Sequence, residues 1–178
     1  MKRSIIYASM GIAAGIVLAN LYTSLVDVPA WGNNIPASLD TARQYYKVSN
    51  PGNFFRIFSP LNQGLGLLCL LAFWKQGKKI RLLLAAAFIL YAVGEAMTFR
   101  FFYPRNAILF NPAITGTDLL QSTWEEWRHM NWVRTVIIAA GFVCSSMALH
   151  CSYTTLNFHS QKKSTAAGKE ETMELQGW

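Results

Sequence analysis

Charge is scarce in this sequence: 14% of its 178 residues are charged, and only nine are Asp or Glu against sixteen Lys or Arg. A soluble domain carries about 25% charged residues, so the chain lacks the polar surface that a water-exposed fold needs. Cysteine is limited to Cys69, Cys144 and Cys151, with no Cys-x-x-Cys pair. That argues against quinone-linked disulfide chemistry, and all three fall inside apolar runs, where a thiol behaves as a small apolar residue. There is no phosphate loop, dinucleotide fingerprint or nucleophile elbow. The net charge of +7 sits largely in short basic clusters, which suits contact with anionic membrane lipid rather than nucleic acid.

What the chain has is apolar length. Hydrophobic residues make up 52%, clustered in four blocks near the roughly 20 residues that a helix needs to cross a bilayer. The expected spans are Ile5 to Val26, Ile57 to Trp74, Leu82 to Phe102 and Trp132 to Tyr153. They predict an all-α integral membrane four-helix bundle over residues 1–158, with two structured outer loops and a polar, disordered tail over 159–178. The first block follows Lys2 and Arg3 as a secretory leader would, but it is long and lacks a small-x-small cleavage site, so an uncleaved span is expected. Its Gly11-x-x-x-Gly15 pair, extended by Ala14 and Ala19, offers a close-packing surface for another helix, and homo-oligomerisation is one use for it.

Three basic clusters set the orientation. The loop Lys75 to Arg81, the N-terminal Lys2 and Arg3, and the tail with Lys162 and Lys163 all fall on one side, which the positive-inside rule makes cytoplasmic. Seven of the eight lysines agree, Lys47 being the exception. The expected location is a bacterial inner membrane, multi-pass, with both termini inside. In the first outer loop Pro36 and Pro51 bracket a segment that predicts a short helix around Ser38 to Lys47, capped by Ser38. Its Trp31, Tyr45 and Tyr46, with Phe54 and Phe55, suit a headgroup belt or a lid over the bundle.

Polar side chains recur at one depth. Trp124, Trp127, Asn131, Arg134 and Ile138 share a narrow helical face at about 100° per residue. Arg134 lies just inside the last apolar run, and Glu95 about two turns from the outer end of the third span, on a face with Tyr91 and Thr98. A charge in hydrocarbon requires a partner, a cavity or the interface, and Arg134 is the natural partner for Glu95. Asn20, Asn62 and Gln63 reach the same outer half, while the inner halves carry few polar groups. This asymmetry predicts an outward-opening polar chamber beside aromatics. The alternative is an ion pair with amides that only fix helix register.

Pro104-x-Asn106 followed by Trp127-x-x-x-Asn131-x-x-Arg134-Thr135 at the mouth of the last span resembles the anthrone oxygenase-like family, long catalogued as a domain of unknown function. The Gly-rich first span, long first outer loop and four-span plan extend the resemblance over Ile5 to Tyr153. It implies a compact four-helix bundle and, in some fungal relatives, an oxidoreductase that oxygenates anthrones without metal or flavin. The span order is also similar to claudins, but the first outer loop has no cysteine pair.

Glu126-x-x-His129 has a spacing that puts two metal ligands on adjacent turns, yet di-metal bundles use two such pairs and further carboxylates. Only one copy is present, turned away from Asn131 and Arg134, so an exposed helix pair is the expectation and no metal is assigned. His150 and His159 sit at the far end of the last span. Two functions follow. In one, the chamber holds a small hydrophobic, aromatic or quinone-like molecule without a cofactor, with Glu95 as base and Asn131 and Arg134 stabilising an oxyanion. Asn20, Asn62, Gln63, Tyr91, Asn106, Trp124 and Trp127 would contact that molecule. In the other, the protein is a non-enzymatic membrane module whose outer loops bind a partner.

Overall fold

A computed structural model describes the backbone of residues 2–175 and the side chains of residues 3–154. The described residues are helical with short connections: α1 Lys2–Tyr22, α2 Val28–Gly32, α3 Ala37–Tyr45, α4 Gly52–Ala72, α5 Lys78–Met97, α6 Tyr103–Leu109 and α7 Thr117–Leu175. Among the described residues four stretches are long and apolar enough to cross a membrane: Arg3–Gly32, Gly52–Ala72, Lys78–Leu109 and Thr117–Thr154. The chain is thus an all-α protein with four membrane-span helices. The polar tail over 159–178 and His159 lie outside the described side chains.

The spans are longer at one end than hydropathy suggests, because α1 and α5 do not stop where the apolar runs end. Each passes through one wide turn of π-helix, Thr23–Asp27 and Thr98–Phe102, into α2 and α6 respectively. Val28 N–H bonds to Thr23 O, and Tyr103 N–H to Thr98 O, five residues back. Proline supplies the cause. Pro29 and Pro104 sit in the first turns of α2 and α6, and a proline clashes with the carbonyl four residues earlier, here Leu25 and Arg100. Both lie within the π segments, where the widened turn makes room. The 30-residue first helical stretch is then roughly 45 Å long, more than the ~30 Å of hydrocarbon, so its end projects as part of a cap.

The four long helices form a ring in which α5 packs on α7, α7 on α1, α1 on α4 and α4 on α5. Leu18, Leu67, Leu68, Leu71, Ile89, Val136 and Val143 are exposed around it, as expected of a surface that faces lipid. The core has three levels. Near the basic loop Ile6, Phe73, Ile80, Leu84 and Leu149 pack together. Ala13, Ile16, Ala87, Tyr91 and Ile138 form the middle. At the cap, Val28, Trp31, Leu39, Phe102, Leu109, Leu120, Trp124 and Trp127 make the third.

Trp31 is therefore part of a lid rather than a headgroup belt, edge-on to Tyr46, Phe110 and Trp127, whereas Tyr45 is exposed. The first-loop helix starts at Ala37, and Pro36 rather than Ser38 holds the capping position. Ser38 instead donates to Trp31 O at 2.5 Å and accepts from Asn34 N–H at 3.2 Å, closing the α2–α3 turn. A Cβ added at Gly11 or Gly15 would meet nothing within 4 Å among the described residues. Gly11 itself is exposed.

Candidate functional site

The shared face of α7 is buried along its length and tied to a different element at each turn. Trp124 Nε1 donates to Val28 O at 2.8 Å, and its ring lies against Gly32, where no Cβ fits. Trp127 Nε1 donates to Asn106 Oδ1 at 2.8 Å. One turn deeper, Asn131 Nδ2 donates to Ser24 Oγ at 2.7 Å and Asn20 O at 3.3 Å. Arg134 then donates through Nη2 to Asn131 Oδ1 at 2.6 Å and Asn20 Oδ1 at 2.9 Å. Its guanidinium carbon lies 3.9 Å from the Phe102 ring centroid, and Nη1 reaches Thr98 Oγ1 at 3.4 Å. The buried charge is thus held by amides and an aromatic face, which together replace much of its hydration.

Above Arg134 opens a cavity of about 790 Å³ between the helix ends and the cap. Its walls include Trp31, Phe55, Phe99, Phe102, Tyr103, Phe110 and Trp127, and its polar lining includes Tyr46, Asn106, Ser59, Glu95 and Arg134. Below it lies an annex of about 20 Å³ bordered by Asn20, Asn62, Gln63, Tyr91, Glu95, Thr98 and Arg134. A large apolar cavity with a few placed polar groups is the usual form of a small-molecule site.

Glu95 and Arg134 border both spaces but form no direct ion pair. Among the described residues the ion pairs are Arg43–Asp40 and Arg105–Glu126. Glu95 has Ser59 as its hydrogen-bonding neighbour and lies within electrostatic reach of Arg134. The expected pairing is therefore corrected to proximity across a shared cavity: the amides of Asn20 and Asn131 already occupy one edge of the guanidinium. Asn131 and Trp124 line neither space. Asn131 holds Arg134 from behind, and Trp124 seals α7 to α2. Tyr91 turns its ring to the annex and shares a hydrogen bond of 3.2 Å with Ser145.

Several contributors had weak sequence signals. Ser24 is one turn beyond Asn20, in the π segment that continues α1, a relation that helical spacing contains. Ser59 carries no such mark. Arg43 joins α3 to the end of α6 and the α6–α7 connection through Leu109 O at 2.8 Å and Ile114 O at 3.1 Å, and backbone acceptors leave no trace in residue types. Tyr46, outside the spans, has its phenol pushed up to about 12 by burial first and by the Asp27 carboxylate second. Glu126 accepts from Arg105 Nε at 2.8 Å on the exposed side of α7, where His129 is also exposed. Among the described residues no three His, Cys, Asp or Glu side chains gather as metal ligands.

The family model described as anthrone oxygenase matches residues 53–144. No curated protein and no solved structure gives a significant match. The matched stretch contains Asn62, Glu95, Asn106, Asn131 and Arg134, while Asn20 and Ser24 lie before it. It covers more than half of the 178 residues, and on that extent, together with the four spans, this membrane chain belongs to the anthrone oxygenase family.

Proposed function

We propose that the cavity beneath the cap binds a small hydrophobic, aromatic molecule with an acidic C–H and oxygenates it with dioxygen, using side chains alone. The observation that carries this reading is the placement of one carboxylate, Glu95, and one buried guanidinium, Arg134, at the inner end of a cavity walled by aromatic rings. The carboxylate removes the C–H proton. The guanidinium, held in place by Asn20 and Asn131, stabilises the oxyanion onto which the resulting charge delocalises. The substrate CH2 and one O2 become a carbonyl and one water, so atoms balance without an external reductant. Family membership supports this chemistry. The basic clusters at the other end of the bundle support a cap that faces away from the cytoplasm.

The test uses the purified protein in lipid nanodiscs with anthrone under air, following oxygen uptake and anthraquinone formation. Wild type is expected to exceed the rate in empty nanodiscs, and Glu95→Gln or Arg134→Met to lose roughly a hundredfold or more. A wild-type rate equal to that of empty nanodiscs, with no small molecule in the native mass spectrum, would leave the partner-binding module as the better account.

A further inference from the structure

The annex has a feature that the larger cavity lacks. Asn20 Nδ2, Asn62 Oδ1 and Arg134 Nε are buried with no hydrogen-bond partner among the described residues, and all three residues border this space of about 20 Å³. A single water-sized group needs roughly 10–15 Å³, so the annex has room for one oxygen centre. The Asn20 amide is oriented by its Oδ1, which accepts from Arg134 Nη2 at 2.9 Å, leaving Nδ2 as a donor. In Arg134, Nη2 has two acceptors and Nη1 has one, whereas Nε–H has none. Two donors and one acceptor match a hydroxyl group that accepts twice and donates once. Molecular dioxygen, being apolar, satisfies none of them.

Resting on the oxygenase reading above, we propose that the annex receives the oxygen that leaves the substrate as water. Loss of the first C–H proton to Glu95 gives a carbanion, which adds dioxygen. The peroxide then takes that proton back, giving a substrate hydroperoxide. The distal O–H lies in the annex, accepting from Arg134 Nε–H and Asn20 Nδ2–H and donating to Asn62 Oδ1. Glu95 next removes the remaining C–H proton, and that electron pair forms the second C–O bond. The O–O bond breaks, with its pair leaving on the distal oxygen as hydroxide. Hydroxide takes the proton from Glu95 and departs as water. Glu95, Ser59 and Thr98 border both spaces, so one carboxylate serves both halves of the reaction. Asn20 and Asn62 are then residues for the release step.

The experiment compares wild type, Asn62→Leu, Asn62→Ala and Asn62→Ser in nanodiscs with anthrone, measuring anthraquinone formed per O2 consumed and hydroperoxide released. Asn62→Leu fills the annex with an apolar group, and the rate of the release step is expected to fall roughly a hundredfold, so that hydroperoxide accumulates. Asn62→Ser restores an oxygen acceptor and is expected to recover coupling relative to Asn62→Ala, a comparison that stands even if Asn62→Leu does not fold. Unchanged coupling in Asn62→Leu and Asn62→Ala overturns the proposal, as does a parallel fall of both steps with thermal stability. Failure of the parent reading shows separately, as a wild type that does not consume anthrone.

Discussion

Replacing Asn131 by leucine tests the buried polar cluster at its centre. Asn131 is fully buried, and leucine has the same number and branching of side-chain heavy atoms, so the substitution keeps the shape and removes the hydrogen bonds. It removes the 2.6 Å bond from Arg134 and those to Ser24 Oγ and Asn20 O. A bond to a charged group is worth about 1.5–3 kcal/mol and a neutral one about 1 kcal/mol. The 3.3 Å contact with Asn20 O is long and belongs at the low end. The expected loss is about 3–5 kcal/mol, which leaves many membrane bundles folded but lowers their melting temperature. The assay is reversible unfolding in detergent of wild type, Asn131→Leu, Arg134→Met and the double variant. If Asn131 positions Arg134, the cost of Asn131→Leu falls by about 1.5–3 kcal/mol once Arg134 is gone. Strictly additive losses would refute the network, and so would a single-variant loss below about 1 kcal/mol.

Gly141→Ala places a Cβ 2.6 Å from the Tyr91 ring, and overpacking of this kind is expected to cost about 1–3 kcal/mol, seen as a lower melting temperature. Glu126→Ala removes an exposed pair with Arg105, and the expected stability loss is at most about 1 kcal/mol; oxygen uptake should be unchanged in Glu126→Ala and His129→Ala, and loss of activity in both would move the site to that face. Tyr46 has a folded pKa of about 12 against 10.0 for the free phenol. The unfolded chain therefore ionises first on raising the pH, and the stability favoured by the neutral phenol is present below pH 10 and lost towards 12. Tyr46→Phe should flatten that alkaline slope in a melting-temperature profile; an identical slope would show that Tyr46 does not contribute. Cysteines introduced at Ser38 and Gly77 should be labelled from opposite faces of intact cells, and labelling of both from outside would overturn the orientation.

The α7 ladder was legible because a 3.6-residue repeat is a local property: five residues at the right spacing share a face whatever they meet. Which groups meet them is not local. Arg134 and Glu95 were placed at similar depth, yet shared depth does not specify contact. The angle at which each helix presents its side chain made Asn20 and Asn131, rather than Glu95, the hydrogen-bonding partners. Trp124 had the residue type and position of a cavity lining, but its indole N–H found a backbone carbonyl on α2 that no residue pattern advertises. The helices run past the ends of the apolar runs for a related reason. An ordinary α-helix does not tolerate Pro29 or Pro104 where they stand, and the widened turn ahead of each lets the helix continue.

Those two widened turns also bear on how this chain tolerates changes of length. Each π segment holds one residue more per turn than an α-helix requires, and Pro29 and Pro104 need that residue, so a single deletion within Thr23–Asp27 or Thr98–Phe102 returns to a regular helix only when the proline is replaced as well. The same deletion between Asn20 and the head of α1, or between Glu95 and the head of α5, swings every earlier side chain by about 100° and scatters the lining of the lower chamber. The cap and the membrane bundle therefore have separate phases. A descendant of this sequence that makes both changes turns its lid by one residue, and so reshapes the mouth of the cavity, while Asn20, Glu95 and Asn131 beside Arg134 stay where they are.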